Sequence, residues 1–206
     1  MWRTLLIGLA SITLAACEPG VDLAGQPPGR AIVLSGSIAV SAPDGYCVDP
    51  VISHPRKGFA LLAACAAMTE DPDDSYPDIN ALITVQSGAM GSAIVAGQED
   101  SFRAFLDTPQ GTALLGASTI GGPLAVRRTR SDDNAVSVYT EDVGPPGVVG
   151  TQAESWRLFT DIKGRLVTVS VRGLIDDPLS EPTSKALIDR VLARLRAANK
   201  AAPTGT

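Results

Sequence analysis

The sequence predicts an α+β fold, an antiparallel sheet with a C-terminal helix packed on it. Three observations carry this expectation. Residues 124–173 hold two pairs of strand-like segments around short polar turns, with apolar and polar residues alternating at the period of a half-buried strand. Near the C-terminus, Leu187, Ile188, Val191, Leu192 and Leu195 fall on one stripe at helical spacing. No internal repeat and no second linker interrupts the chain, so one domain over residues 31–199 is the economical arrangement.

The first sixteen residues differ from the rest. Arg3 supplies a short positive region, and Leu5 to Ala16 are apolar apart from Gly8, Ser11 and Thr13. Such a segment suits a secretory leader and is short for a membrane span. It ends in Leu14-Ala15-Ala16-Cys17, which resembles the bacterial lipobox at every position. That resemblance implies cleavage before Cys17, a diacylglycerol thioether on its sulfur and acylation of the new amine. Two or three acyl chains anchor stably, each buried methylene contributing about 0.8 kcal/mol. The expected partner is therefore a membrane, reached through the lipid on Cys17. Glu18 follows the cysteine. An Asp there favours inner-membrane retention in enterobacterial lipoproteins, so the expectation leans to the outer membrane, facing the periplasm.

Residues 17–30 read as the lipidated cysteine and a flexible spacer, since Pro19, Gly20, Gly25, Pro27, Pro28 and Gly29 oppose regular structure. A strand is expected over Ile32–Ser41, where Ile38 and Val40 alternate with Ser37, Ala39 and Ser41. Pro43-Asp44-Gly45 makes a turn and His54 to Gly58 a loop. Phe59–Ala67 is a continuous apolar run read as a buried strand carrying Cys65. Glu70–Asp78 is an acidic, proline-rich loop, and Asn80–Ser87 another strand. Gln98–Leu106 reads as a helix, with Glu99 and Asp100 in its first turn and Phe102, Phe105 and Leu106 on one face; Thr108-Pro109 ends it. Strands follow at 124–129, 135–142, 154–162 and 165–173, with Pro145-Pro146-Gly147 between the hairpins. Val167, Val169 and Val171 point one way, and Trp156, Leu158 and Ile162 are expected in the same core. The terminal helix can be capped by Ser180 or Thr183, and Arg190, Arg194, Arg196 and Lys200 suit its C-terminal half. Residues 200–206 are expected to be a disordered tail.

Composition narrows function mainly by exclusion. Net charge is −5, becoming −6 once Arg3 leaves with the leader. A mildly acidic chain with only 4% aromatic residues is a poor binder of nucleic acid, and none is expected as a partner. Of three cysteines, assigning Cys17 to lipid leaves Cys47 and Cys65, 18 residues apart. In an oxidising envelope compartment these are expected to form one disulfide. The alternative, a redox or metal pair, lacks CxxC spacing and has one histidine to draw on.

Reactive groups form no recognisable motif. His54 would have to serve any Ser-His-Asp triad, yet G-x-S-x-G is absent from the sequence. Asp71, Asp73, Asp74 and Asp78 are the densest acidic group but do not match a calcium loop. Arg127, Arg128 and Arg130 are the strongest basic cluster; on an edge strand, with Asp132 and Asp133 across the turn, local neutralisation is the expected outcome. Gly116, Gly121 and Gly122 fit no nucleotide-binding pattern. No catalytic residue, metal ligand or cofactor is therefore assigned.

The order of hairpin, helix, antiparallel meander and terminal helix resembles the Mog1/PsbP-like α/β/α sandwich, over residues 31–199. Gly45-Tyr46-Cys47-Val48-Asp49-Pro50 followed by Phe59 to Cys65 resembles uncharacterised envelope lipoproteins of alphaproteobacteria. Neither resemblance transfers a catalytic residue. The expected function is a membrane-anchored envelope lipoprotein acting as a non-catalytic binding or assembly module, with another envelope protein as partner. The alternatives are an envelope hydrolase with an unrecognised site and a small-ligand or lipid carrier.

Overall fold

The computed structural model describes residues 27–117, 124–144 and 148–200. The leader, Cys17, the spacer up to residue 26, Gly121, Gly122, Pro145-Pro146-Gly147 and residues 201–206 lie outside the described residues.

A seven-stranded antiparallel sheet runs in the order β3-β4-β5-β9-β8-β7-β6. Its members are β3 (Tyr46–Val48), β4 (Phe59–Ala64), β5 (Ala81–Ser87), β6 (Leu124–Asp132), β7 (Ala135–Asp142), β8 (Glu154–Ile162) and β9 (Arg165–Gly173). A separate hairpin, β1 (Ala31–Leu34) with β2 (Ile38–Ser41), precedes it. Helices α1 (Glu99–Leu106) and α2 (Pro109–Ala117) follow β5, and α3 (Glu181–Asn199) closes the fold.

The late hairpins form where the alternation places them. Lys163 (φ 48°) and Gly164 (φ 73°) make the two-residue turn between Ile162 and Arg165, a left-handed pair matching the twist of the flanking strands. β9 buries Val167, Val169 and Val171 on one side, and β8 buries Trp156, Leu158 and Ile162 beside them. Against this face lies the α3 stripe Leu187, Ile188, Val191, Leu192 and Leu195, joined by Leu34, Ile38 and Val40 of the first hairpin. The other side of β6–β8 is covered by α1 and α2, where Phe102, Leu106 and Leu115 pack on Val136, Val138 and Phe159. The sheet is thus a middle layer with helices on both faces.

Three local expectations change. The segment 32–41 is not one strand but the β1–β2 hairpin, folded back at Ser35 (φ 49°) and Gly36 (φ 70°), with the Ser37 N–H donating to the Leu34 carbonyl at 3.0 Å. The Ser-Gly dipeptide is a turn signal that outweighs the surrounding apolar residues. The strand at Phe59 ends at Ala64; Cys65–Ala67 is a single 3₁₀ turn, closed by Met68 and Thr69 N–H groups donating to the Cys65 carbonyl. Thr108-Pro109 ends α1 and also starts α2. Thr108 Oγ1 accepts from the Gly111 N–H at 3.1 Å, and proline is suited to the first helical position. A Cβ on Gly111 would fall 2.2 Å from the Phe105 carbonyl oxygen, so glycine lets the two helices meet. Backbone pairing also begins before residue 31, at Gly29 against Val48.

Candidate functional site

Cys47 and Cys65 are joined by a disulfide, their Cα atoms 4.8 Å apart. β3 places Cys47 opposite Ala63 in the β3–β4 ladder, and the turn after β4 brings Cys65 beside it. Both are buried, so the bridge ties the short edge strand β3 to the sheet and presents no reactive thiol.

The other residues singled out by sequence lie apart from one another. His54 is exposed; its backbone pairs with Phe59, and it precedes a 3₁₀ turn over Pro55–Lys57. In the acidic loop, Asp74 accepts from Thr69 Oγ1 at 2.6 Å and faces Arg30 at 3.6 Å, while Asp71 accepts from the Asp73 N–H. These acids fold their own loop, and among the described residues no group of three or more potential ligands gathers at metal-binding range. The Arg127–Arg130 cluster does sit on the edge strand β6, but Asp132 and Asp133 do not neutralise it. A bulge between Val126 and Arg128 turns Arg127 onto Glu141 of β7 at 2.7 Å, while Arg128 meets Glu181 of α3 at 2.7 Å.

A polar network missed by the sequence reading lies within the sheet. Arg172 of β9 pairs with Asp142 of β7 at 2.6 Å, side chains 13% and 1% exposed, and donates to the Gln152 and Ala153 carbonyls and to Ser155. Arg157 beside it donates to the Leu115 carbonyl at 2.9 Å. Burial, with Arg172 nearby, pulls the Arg157 guanidinium down to about 10. This network clamps the ends of β7, β8 and β9 and the C-terminal part of α2. Its role is to hold the frame.

A concave surface, a depression of about 550 Å³, lies at the opposite end of β9. Four separate segments line it: Ser35 and Gly36 from the β1–β2 turn, Arg56 and Lys57 from the 3₁₀ turn, Ser87 at the end of β5 with Gly88 and Ala89 after it, and Arg165 at the start of β9. Its frame is held by backbone bonds. Ser35 and Gly58 N–H groups donate to the Pro55 carbonyl, the Ser87 N–H to Gly58 and the Gly88 N–H to Leu166, at 2.7–3.0 Å. Gly58 is left-handed (φ 75°), and a Cβ there would fall 2.5 Å from the Ser87 carbonyl oxygen and 2.8 Å from Ser35 Oγ. Only glycine satisfies both conditions without displacement.

The lining carries three cations and no acid. Arg165 Nη1 is fixed on the Gly88 carbonyl at 2.8 Å, and its buried Nε–H has no acceptor among the described residues. Lys163 adds a fourth charge close by, its ammonium on the Ser37 carbonyl at 2.9 Å. The loop leaving the depression is pinned by the Asp161 carboxylate, which accepts the N–H groups of Ile94, Val95 and Ala96 at 2.7–3.1 Å.

No protein-family model and no curated protein matches this chain. A mutant form of protein Mog1 is similar in structure, at a TM-score of 0.42 and 10% identity, over 82% of this chain and 91% of that one. This distant likeness says nothing of chemistry.

In the sequence Arg56, Lys57 and Lys163 stood in loop and turn segments, whereas Ser35, Gly36, Ser87 and Arg165 fell within expected strands. A search for cations flanking a turn glycine would have raised Arg56, Lys57, Lys163 and Arg165, but nothing local tells that these turns meet.

Proposed function

We propose that this chain is a membrane-anchored lipoprotein of the bacterial cell envelope, and that its folded domain is a non-catalytic module binding another envelope component or supporting its assembly. The observation that carries the proposal is Leu14-Ala15-Ala16-Cys17 at the end of a short, positively started apolar leader. Cleavage and lipidation need small residues before a thiol, and both stand there. The Cys47–Cys65 bridge supports an oxidising compartment such as the periplasm. Among the described residues no helix is long and apolar enough to cross a membrane. Glu18 after the lipidated cysteine favours the outer membrane as the host bilayer.

A binding role is favoured by the character of the concave surface. Arg56, Lys57 and Arg165 offer guanidinium and ammonium donors that hold an anionic group, whereas acid–base catalysis calls for a side chain poised to exchange a proton near neutral pH. The interior between the sheet and α3 is filled by buried side chains, so a ligand is better placed in the surface depression than in the core.

The anchor is tested by Cys17→Ser in the full chain. Membrane partitioning should be abolished and the unprocessed, heavier precursor should accumulate; a variant that stays both processed and membrane-bound refutes the assignment.

A further inference from the structure

The cations at the depression are set apart from the rest of the molecule's charge. The chain has 22 acidic and 17 basic residues, and the ion pairs among the described residues occupy Arg30, Arg103, Arg127, Arg128, Arg172, Lys185 and Arg194. None of those pairs engages Arg56, Lys57, Lys163 or Arg165. In an acidic protein, four cations from two turns thus gather at one end of the sheet, with no acid in the lining of the depression. Such a focus of positive potential raises the local concentration of anions.

One of these cations is also fixed in place. Arg165 is held through Nη1 on Gly88, leaving part of its planar donor fork for a ligand, and its Nε–H lacks an acceptor among the described residues. Ser35 and Ser87 belong to the same lining, the Ser87 hydroxyl donating to the Gly88 carbonyl, and the left-handed Gly36 brings backbone without a side chain. Gly58 lets the 3₁₀ turn lie close against Ser87 and Ser35, which sets the wall. Converging cations and a planar guanidinium match a tetrahedral oxyanion carrying more than one acceptor oxygen.

We propose that the depression formed by Ser35, Gly36, Arg56, Lys57, Ser87 and Arg165 is a binding site for a phosphate group, borne either by a soluble phosphomonoester or by a phospholipid headgroup. This rests on the reading of the domain as a binding module and names the chemistry of what it binds. Arg56 and Lys57, both exposed, provide the mobile part of the grip; Arg165 provides the fixed part.

The test is calorimetric titration of the full-length chain, in non-ionic detergent at low salt, with three probes: inorganic phosphate, glycerol 3-phosphate and glycerophosphoglycerol. The first two represent free phosphate and a monoester; the third is the phosphodiester of a lipid headgroup. Saturable binding is expected and should weaken about tenfold or more in Arg56→Gln/Lys57→Gln, whose thermal midpoint should match the parent because neither side chain carries an ion pair. Arg165→Lys keeps the charge but loses the fork, and should also bind more weakly. Binding led by the monoester assigns a soluble ligand, and binding led by the diester a headgroup. No saturable binding of any probe, or equal binding by the double variant, overturns the proposal. The Cys17→Ser result is independent of it, so the anchor can stand while the phosphate site falls.

Discussion

At the scale of single residues, the strongest constraints are polar groups buried with partners. Asp142 is 1% exposed and its carboxylate faces Arg172. Removing one member of such a pair leaves the other charged and uncompensated. Asp142→Ala should therefore cost about 3–5 kcal/mol, read as a lowered urea midpoint at unchanged slope. Tyr46 makes a different prediction. Its hydroxyl donates to the Ile79 carbonyl, and burial pushes the phenol up to about 12, with Arg190 acting weakly the other way. In the unfolded chain the phenol ionises near its ordinary value of 10. Between pH 10 and about 12 the folded state thus holds a proton that the unfolded state has lost, so this residue's contribution to stability falls as pH rises. The stability advantage of the parent over Tyr46→Phe should be full below pH 10 and shrink towards pH 12 in parallel denaturation series; an advantage that grows over that window would contradict the assignment.

At the scale of elements, packing outweighs local signals. α3 is capped by Ser180, whose Oγ accepts from the Thr183 N–H at 3.3 Å, and Asn199 exchanges hydrogen bonds with Ala39 of β2 at its far end. Its greater support is the buried stripe ending at Leu195, which is fully buried. Leu195→Ala should cost about 2–5 kcal/mol, against about 1 kcal/mol for Ser180→Ala. Equal losses in chemical denaturation would mean that capping governs this helix. The two late hairpins and α3 were readable because their patterns are local and strictly periodic. α2 was not. Its Ala-, Gly- and Leu-rich sequence carries no amphipathic stripe, and the proline at its start resembles the end of α1 until both helices are seen to meet at Gly111.

At the scale of the whole molecule, the disulfide and the layering decide stability together. The bridge closes an 18-residue separation and ties β3, a three-residue edge strand, into the sheet. A loop of that size is worth about 3 kcal/mol in the chain-entropy model. Reducing the parent, or replacing both cysteines by alanine, should lower stability by about that much, and reductant should then have no effect on the double variant. A midpoint unmoved by reduction would show that β3 holds its place through packing alone. The same assembly builds the cationic depression, because antiparallel pairing carries the β1–β2 turn, the 3₁₀ turn, the end of β5 and the start of β9 to one pole.

By itself the sequence determined the fold class, the late strands, the terminal helix and the pairing of Cys47 with Cys65, and it supplied the lipobox pattern on which the proposed anchor rests. These follow from periodicity, turn chemistry and a cysteine count, all of which are written locally along the chain. Tertiary structure alone decided the rest: the destinations of Arg127 and Arg128, the Arg172–Asp142 clamp and the gathering of Arg56, Lys57, Lys163 and Arg165. Each of these joins residues whose separation in sequence carries no period. Only the pairing order of the sheet brings them within reach.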